Sequence, residues 1–379
     1  RKRVEDVAAY LQNQGFAAAA YHAGLSAEVR RDVLEAMLAP MLPHRGALFE
    51  ALFARMQEGL RPIFRTTRPV YVSSSSATGL MEAAIRCAAP GPILSMVNGA
   101  FSERFANMAL ACGRETRVVG GDWHQAVPLD VVEQALRERR FSAITVVHSE
   151  TSTGTLTSLP ELAALAHQYG AAVLVDSVTG IGGVPVETDA WDLDFVLTGS
   201  QKALALPPGL AFGVASARFI EQARQATARG LYFDLVEFEE FVHKNQTPST
   251  PAISLLYATA VQGEYIARET IEARWARHGE MAAMTHDWVR RLREATGESF
   301  CVYAPEHARS GTVTAIALPS TLKGDDIVKG VAKRGFVIGG GYGKLKSSTF
   351  RIGHMGDHTP DRLALCLDAT ADAIRELLA

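Results

Sequence analysis

Short apolar runs alternate with amphipathic stretches over residues 69–216. The apolar runs are rich in β-branched residues, which is typical of strands buried on both faces. The candidate strands are 69–74, 93–96, 115–119, 143–148, 172–176, 195–198 and 210–215. Helical patterns separate them at 79–88, 101–112, 129–139 and 159–169. This alternation predicts βαβ units around a mostly parallel sheet with helices on both faces, an α/β fold.

The pattern changes after Pro251. A long helical stretch is predicted to about Thr296, and a closing helix is predicted from Pro360; between them we predict strands near 311–318, 336–338 and 349–352. We therefore divide the chain into a large domain over 27–265 and a smaller C-terminal α+β domain over 266–379. Residues 1–26 are set apart as an atypical N-terminal segment.

A glycine-rich run, Gly339-Gly-Gly-Tyr-Gly343, could suggest a phosphate-binding loop. It follows a predicted strand but opens no helix, and it lacks the usual glycine spacing. We interpret it as a tight glycine turn.

Composition narrows the class of protein. The chain has 379 residues, of which 47% are hydrophobic and 21% charged, and its net charge is -3. This balance offers no basic field for nucleic acid, and no apolar run approaches the roughly 18–20 residues of a membrane helix. The four cysteines are widely spaced, which argues against a zinc site and a disulfide framework. With no signal-peptide pattern either, we expect a cytoplasmic enzyme without a metal.

Two titratable residues follow predicted strands in the large domain. Asp176 ends an apolar run, and Lys202 lies in the uncharged turn Gly199-Ser-Gln-Lys202. An amine and a carboxylate at neighbouring strand ends are what pyridoxal 5'-phosphate (PLP) requires: the amine reacts with the aldehyde, and the carboxylate keeps the ring nitrogen protonated. The alternatives are an aspartate that caps the next turn and a solvated loop lysine. The uncharged surroundings of Lys202 favour the PLP interpretation.

The run Ser73-Ser-Ser-Ser-Ala-Thr-Gly79 leaves one strand and enters a helix. Backbone N–H groups and hydroxyls at such a helix start can bind a phosphate, and the helix dipole adds to the attraction. We predict Ser76, Ala77 and Thr78 as phosphate contacts. The alternative is an ordinary helix cap with additional serines.

Several strings occur together in one order: His148-Ser-Glu-Thr-Ser-Thr-Gly154, Val175-Asp-Ser-Val178, and Gly199-Ser-Gln-Lys-Ala203 with Pro207-Pro-Gly209. In these strings the chain resembles the class V aminotransferases of PLP fold type I. Within that family it is most similar to the alanine–glyoxylate and serine–pyruvate or serine–glyoxylate enzymes. The resemblance extends from about Arg30 to the C-terminus. It implies PLP as the cofactor and a mostly parallel sheet with a smaller C-terminal domain.

The resemblance also implies roles for single residues around the cofactor. Lys202 would hold PLP covalently and shuttle the proton at the substrate Cα, and Asp176 would bind the pyridine nitrogen. Phe101, in Asn98-Gly-Ala-Phe-Ser-Glu-Arg104, would stack on the ring. Thr151 would lie beside the phenolic oxygen, and Gln201 would contact the phosphate.

Two further roles concern the substrate and a second subunit. Arg351, in Phe350-Arg-Ile-Gly-His-Met-Gly356, would hold the substrate α-carboxylate through both guanidinium nitrogens. Thr250, with Gln246 and Ser249 before Pro251, would reach the phosphate of the partner subunit. The active enzyme would then be a homodimer with its site at the subunit interface.

The N-terminus departs from the family. His22-Ala-Gly-Leu-Ser-Ala27 stands where class V enzymes usually carry a proline–glycine turn that lines the substrate pocket. Residues 1–26 instead resemble the second motor lobe of RecQ-type DNA helicases, although no nucleotide-binding loop follows them. Nucleic-acid binding is not favoured by the acidic balance of the whole chain.

The expected reaction is the transfer of an amino group from alanine or serine to a 2-oxo acid such as glyoxylate or pyruvate. Three alternatives stay open: transamination of aspartate or phosphoserine, cysteine desulfuration or lyase chemistry, and an inactive scaffold with a helicase-derived start. For desulfuration Cys301 would have to lie on a mobile loop, but its neighbours predict a strand. A single arginine clamp accepts any α-amino acid, so the sequence leaves the donor open.

Overall fold

The computed structural model describes residues 27–379, with side chains from Arg31 onwards. The atypical segment 1–26, its resemblance to helicases and the altered turn at 22–26 lie outside the described residues.

Strands of the described chain form two main sheets and one hairpin. In chain order they are β1 (Tyr71–Ser73), β2 (Ile93–Val97), β3 (Thr116–Gly120), β4 (Ala143–Val147), β5 (Ser149–Glu150), β6 (Thr155–Leu156), β7 (Ala172–Asp176), β8 (Phe195–Gly199), β9 (Ala211–Ala215), β10 (Cys301–Val302), β11 (Val313–Ala317), β12 (Gly339–Gly340) and β13 (Thr349–Gly353).

The helices lie between and beyond these strands. They are α1 (Ala27–Ala36), α2 (Ala47–Phe64), α3 (Ala77–Cys87), α4 (Ala100–Ala111), α5 (Leu129–Glu138), α6 (Leu159–Gln168), α7 (Ala217–Ala223), α8 (Leu235–Val242), α9 (Ile253–Glu269), α10 (Ile271–Thr296), α11 (Gly324–Lys333) and α12 (Pro360–Leu378). Among residues 27–379, none of them is both long and apolar enough to cross a membrane.

The large sheet has seven strands in the order β1-β9-β8-β7-β4-β2-β3. The strands from β8 to β3 run parallel to one another, and β9 runs antiparallel to both of its neighbours. Every residue of β2, β4, β7 and β8 is buried, as their continuous apolar runs predict for strands covered on both faces. The predicted α/β fold with a mostly parallel sheet is confirmed.

The small sheet is antiparallel, in the order β10-β11-β13-β12. The strand predicted at 336–338 is wrong, because the residues that pair with β13 are Gly339 and Gly340. Val337 is 65% exposed, so the apolar residue that suggested a strand here is not buried in the sheet. The glycine-rich run therefore begins as a short strand and turns only after Gly340.

The long helical stretch predicted after Pro251 is two helices. Thr270, with a φ of 67°, interrupts it, and its hydroxyl caps α10 by accepting a hydrogen bond from the N–H of Ala273 at 3.2 Å. Helix α10 then runs from one apolar core into another, since Ile271 packs with the large sheet and Met281 with the small one. The proposed division at residues 265 and 266 stays a prediction.

Candidate active site

The carboxyl ends of β4, β7 and β8 lie side by side in the large sheet. Val147 of β4 pairs with Asp176 of β7, and Asp176 pairs with Leu197 of β8. The turns that leave these strands carry Thr151 and Lys202. Parallel strands thus deliver the predicted residues to one edge of the sheet, where open α/β folds bind their ligands.

Asp176 is 4% exposed at the end of β7. The pKa of its carboxyl is raised to about 7, chiefly by burial and also by nearby Glu150, although the Val178 N–H and the charges of Lys202 and Arg104 act in the opposite direction. Val178 donates its hydrogen bond to Oδ1 at 2.9 Å, and Oδ2 accepts none from the described residues. The carboxyl is therefore poised for a cationic partner at Oδ2.

Lys202 is half-buried in the turn that follows β8. Burial lowers the pKa of its amine, the positive charge of Arg351 lowers it further, and Asp176 opposes both effects. Arg274 holds this turn in place, since its guanidinium donates a hydrogen bond to the carbonyl of Ala203 at 2.7 Å. A lysine amine with a lowered pKa can lose its proton and act as a nucleophile.

Helix α3 begins beside the lysine turn. Its cap residue Ser76 is exposed and its hydroxyl forms no capping hydrogen bond, so the first N–H groups of the helix are not satisfied by a side-chain cap. A Cβ on Gly199 would lie 2.9 Å from Oε1 of Gln201 and 3.6 Å from Cβ of Ala77, which places these two residues close together. With Thr78 in the first turn, this helix start offers a site for an anion next to Lys202.

Glu150 fixes the start of helix α4. Its carboxylate is fully buried; Oε2 accepts the N–H groups of Phe101 (3.1 Å) and Ser102 (2.9 Å), and Oε1 accepts the hydroxyl of Ser152 (2.6 Å). A Cβ at Gly99 would collide with the Glu150 side chain, so the close approach requires glycine there. This arrangement holds the Phe101 ring at the site.

Arg351 joins the two sheets. Its Nη1 donates to the carbonyl of Thr151 at 3.2 Å, and its Nε donates to the carbonyl of Gly340 in β12 at 2.8 Å. Burial lowers the pKa of the guanidinium, and Glu150 and Tyr342 oppose this effect. Its Nη2 donates to no acceptor in the part of the chain that the structure describes, so one face of the fork is open to a carboxylate.

Thr250 lies apart from the lysine turn. It lines a surface depression with Ser73, Ser74 and the chain from Thr247 to Pro251. Its hydroxyl lies 3.5 Å from Nε2 of His44. Within one chain the structure thus places Thr250 beside the strand end that precedes α3, and its predicted contact with a second subunit stays a prediction.

Sequence reasoning missed three residues of this site: Glu150, Arg104 and Tyr342. The ring of Tyr342 stacks on that of Phe101 with centroids 5.2 Å apart. Cζ of Arg104 lies 5.0 Å from the centroid of the Phe101 ring. Glu150 could have been found as an acidic residue between segments that predict burial. Nothing in the glycine-rich run signals the stacking of Tyr342.

The model of the family described as aminotransferase class-V matches residues 49–375. The chain belongs to the class V aminotransferases. It is 32% identical to the serine–glyoxylate aminotransferase of Arabidopsis thaliana, covering 88% of this chain and 85% of the relative. It is 31% identical to the L-aspartate–glyoxylate aminotransferase of Paracoccus denitrificans, covering 91% and 88%. The crystal structure of an alanine–glyoxylate aminotransferase from Nostoc sp. superimposes with a TM-score of 0.85 at 28% identity, covering 91% and 92%.

This class V aminotransferase uses PLP as its cofactor. The site fits the cofactor: the open Oδ2 of Asp176 suits a pyridinium nitrogen, and the uncapped start of α3 suits a phosphate. Lys202 is half-buried and near enough to Asp176 for the carboxylate charge to act on its amine. No cluster of metal-ligating side chains occurs within residues 27–379.

Proposed function

We propose that this aminotransferase transfers the amino group of a small L-amino acid, alanine or serine, to a 2-oxo acid, glyoxylate or pyruvate. The observation that carries the proposal is the convergence of Lys202, Asp176 and Arg351, which are close enough for each charge to shift the pKa of Lys202. Relatives named for serine and alanine with glyoxylate support this choice of substrates.

Lys202 is the catalytic residue of the proposal. Its amine would hold PLP covalently, and the same amine would move the proton at the substrate Cα. PLP supplies an electron-accepting ring that stabilises the charge left at Cα. The lowered pKa of Lys202 favours the neutral amine, which both roles require.

Four parts of the cofactor are held in this proposal: the pyridine nitrogen, the ring face, the phenolic oxygen and the phosphate. Asp176 pairs with the pyridine nitrogen, and Phe101 stacks on the ring. Thr151 lies beside the phenolic oxygen. The phosphate is held by Gln201 and by the start of α3, at Ser76, Ala77 and Thr78.

Arg351 binds the substrate α-carboxylate. Its bonds to the carbonyls of Thr151 and Gly340 fix the plane of the guanidinium before the substrate arrives. The carboxylate then sets the orientation of the Cα–H bond relative to the cofactor ring, which is the positioning that the proton transfer needs.

A homodimer in the cytoplasm is part of the proposal. All four cysteines of the chain are free thiols, as expected in a reducing compartment. Thr250 is exposed, and it would reach the phosphate in the partner subunit. Cysteine desulfuration has less support, because Cys301 pairs with Ala317 in the small sheet and is not on a mobile loop.

The test is the visible absorption spectrum of the purified protein with PLP, recorded before and after adding L-alanine, L-serine or L-aspartate singly. We expect a band from the lysine-bound cofactor that converts to the aminated form with alanine or serine. Conversion by aspartate alone would replace the proposed donor with a dicarboxylic one. A cofactor band that no amino acid changes would refute transamination.

A further inference from the structure

In the glycine-rich run Gly339–Gly343, the proposed function uses the carbonyl of Gly340 but not the side chain of Tyr342. Its glycines fix the backbone around one large residue, Tyr342. A Cβ at Gly341 would collide with the carbonyl of Leu345, and Gly343 has a φ of 57° with its Cα facing Trp123. The run therefore presents Tyr342 at a defined position.

Tyr342 lies between the two groups assigned to cofactor and substrate. Its ring is nearly parallel to that of Phe101, at 16° and 5.2 Å between centroids. Cζ of Arg351 lies 5.7 Å from the centroid of the same ring. Arg104 donates to the Tyr342 hydroxyl at 3.0 Å, which holds the ring in this orientation.

Neighbouring contacts hold the segment independently of the tyrosine hydroxyl. Nζ of Lys344 lies 3.2 Å from Oε1 of Glu103 and 4.8 Å from the ring centroid of Trp123. A Cβ on Gly343 would lie 3.0 Å from that indole ring. Removing the Tyr342 ring should therefore leave the backbone in place and open space beside Arg351.

We propose that Tyr342 is a specificity-determining residue that limits the donor to small side chains. This inference rests on the proposed function. A substrate held by Arg351 at its carboxylate, with its amine toward Lys202, has its side chain directed past the ring of Tyr342. Because the ring packs on Phe101 and Arg351 and its hydroxyl accepts a hydrogen bond from Arg104, it is held in place against a branched side chain. Each excess methylene in such a pocket reduces kcat/KM by roughly 10–200-fold.

The experiment compares Tyr342→Ala and Tyr342→Phe with the wild-type holoenzyme. Tyr169→Ala is the matched control, since Tyr169 follows α6 and lies at the opposite end of the sheet, before β7. Each protein is mixed with L-alanine or L-leucine, and the rate of conversion of the cofactor band is measured. Binding is measured separately with 2-aminoisobutyrate and α-methylleucine, which lack a Cα hydrogen and cannot be transaminated.

We expect Tyr342→Ala to raise the leucine-to-alanine ratio of kcat/KM by at least about tenfold. The ratio of dissociation constants for the two α-methyl compounds should shift in the same direction. Tyr342→Phe keeps the ring and should retain the wild-type ratio, as should Tyr169→Ala. If Tyr342→Ala loses the cofactor band, Tyr342→Leu takes its place in the same comparison.

An unchanged ratio in both measurements would overturn the inference, even if the absolute rates fall, because an equal loss toward both donors marks a structural role. Failure of the proposed function would appear elsewhere, as a wild-type cofactor band that alanine and serine leave unaltered.

Discussion

The two walls of the active site are built in different ways. The large-sheet wall, Asp176 and Lys202, stands on consecutive parallel strands whose residues are all buried. The small-sheet wall, Arg351 and Tyr342, stands on an antiparallel sheet whose edge is a two-residue strand of glycine. In the proposed function the first wall would carry the bond-making chemistry, whereas the second would orient and select the substrate. Substitutions in the first wall should therefore reduce kcat, and those in the second should change KM and selectivity.

The largest expected effect is that of Lys202→Ala. Loss of the residue that moves the proton should reduce kcat by about 10²–10⁴-fold or more, and the lysine-bound cofactor band should disappear. Steady-state rates and the visible spectrum measure the two effects. Lys329→Ala is the control, because Lys329 is exposed on α11 and forms an ion pair with Asp326, away from the site. Turnover close to wild type in Lys202→Ala would show that the chemistry lies elsewhere.

Arg351→Gln tests the second wall. A charge-assisted hydrogen bond contributes about 1.5–3 kcal/mol, so we expect KM for the amino donor to rise roughly 10–150-fold, with a smaller change in kcat. Initial rates over a range of donor concentrations separate the two parameters. Arg290→Gln, on the exposed face of α10, is the control. A pure loss of kcat at constant KM would remove the distinction between the walls.

Asp176→Asn tests how far the buried carboxyl of the first wall lowers the free energy of unfolding. The folded pKa of Asp176 is raised to about 7 from 3.8, so the unfolded chain loses this proton first. Without PLP, the contribution of Asp176 to stability should fall as the pH rises from about 4 to 7 and stay low above that.

The neutral asparagine avoids this penalty. Cofactor-free Asp176→Asn should be more stable than wild type at pH 8, by on the order of a few kcal/mol, and the difference should vanish near pH 4. Urea unfolding of both proteins at several pH values measures it. A difference independent of pH would mean that Asp176 is not buried in its charged form. With PLP bound, the order of stability at pH 8 should reverse.

The smallest expected effect is that of Glu150→Gln. The amide can accept fewer of the hydrogen bonds that start α4, so we expect a loss of about 0.5–2 kcal/mol in the free energy of unfolding. Glu138→Gln, an exposed change at the end of α5, should have almost no effect. Phe101 should also be less well fixed, which weaker PLP binding would report. Unchanged stability and affinity would show that Glu150 does not fix the start of α4.

The first wall could be predicted from the sequence because its signals are local. Asp176 ends an apolar run and Lys202 lies in an uncharged turn, and the parallel topology alone brings such strand ends together. Arg351 was placed through the family resemblance. The structure brings it to the carbonyl of Thr151, and its role as a carboxylate clamp stays a prediction.

The rest depends on contacts between residues far apart in the chain. Glycine is disfavoured in strands, yet Gly339 pairs with Arg351 and Gly340 pairs with Phe350. A Cβ added to Gly339 would lie 3.4 Å from the Arg351 side chain, so that side chain lies across the short strand. Tyr342 reaches Phe101 only once both sheets are assembled. No periodicity or local spacing encodes either contact.

Helix α10 contacts both walls of the site. Arg274 lies in its first turn, is fully buried, and donates to the carbonyl of Ala203 in the lysine turn. Its later turns place Met281 and Trp288 in the apolar core of the small sheet. Its 26 residues span about 39 Å. Any shift of the small sheet is therefore transmitted to the backbone beside Lys202, and the distance between the lysine and the arginine clamp is a property of the whole fold.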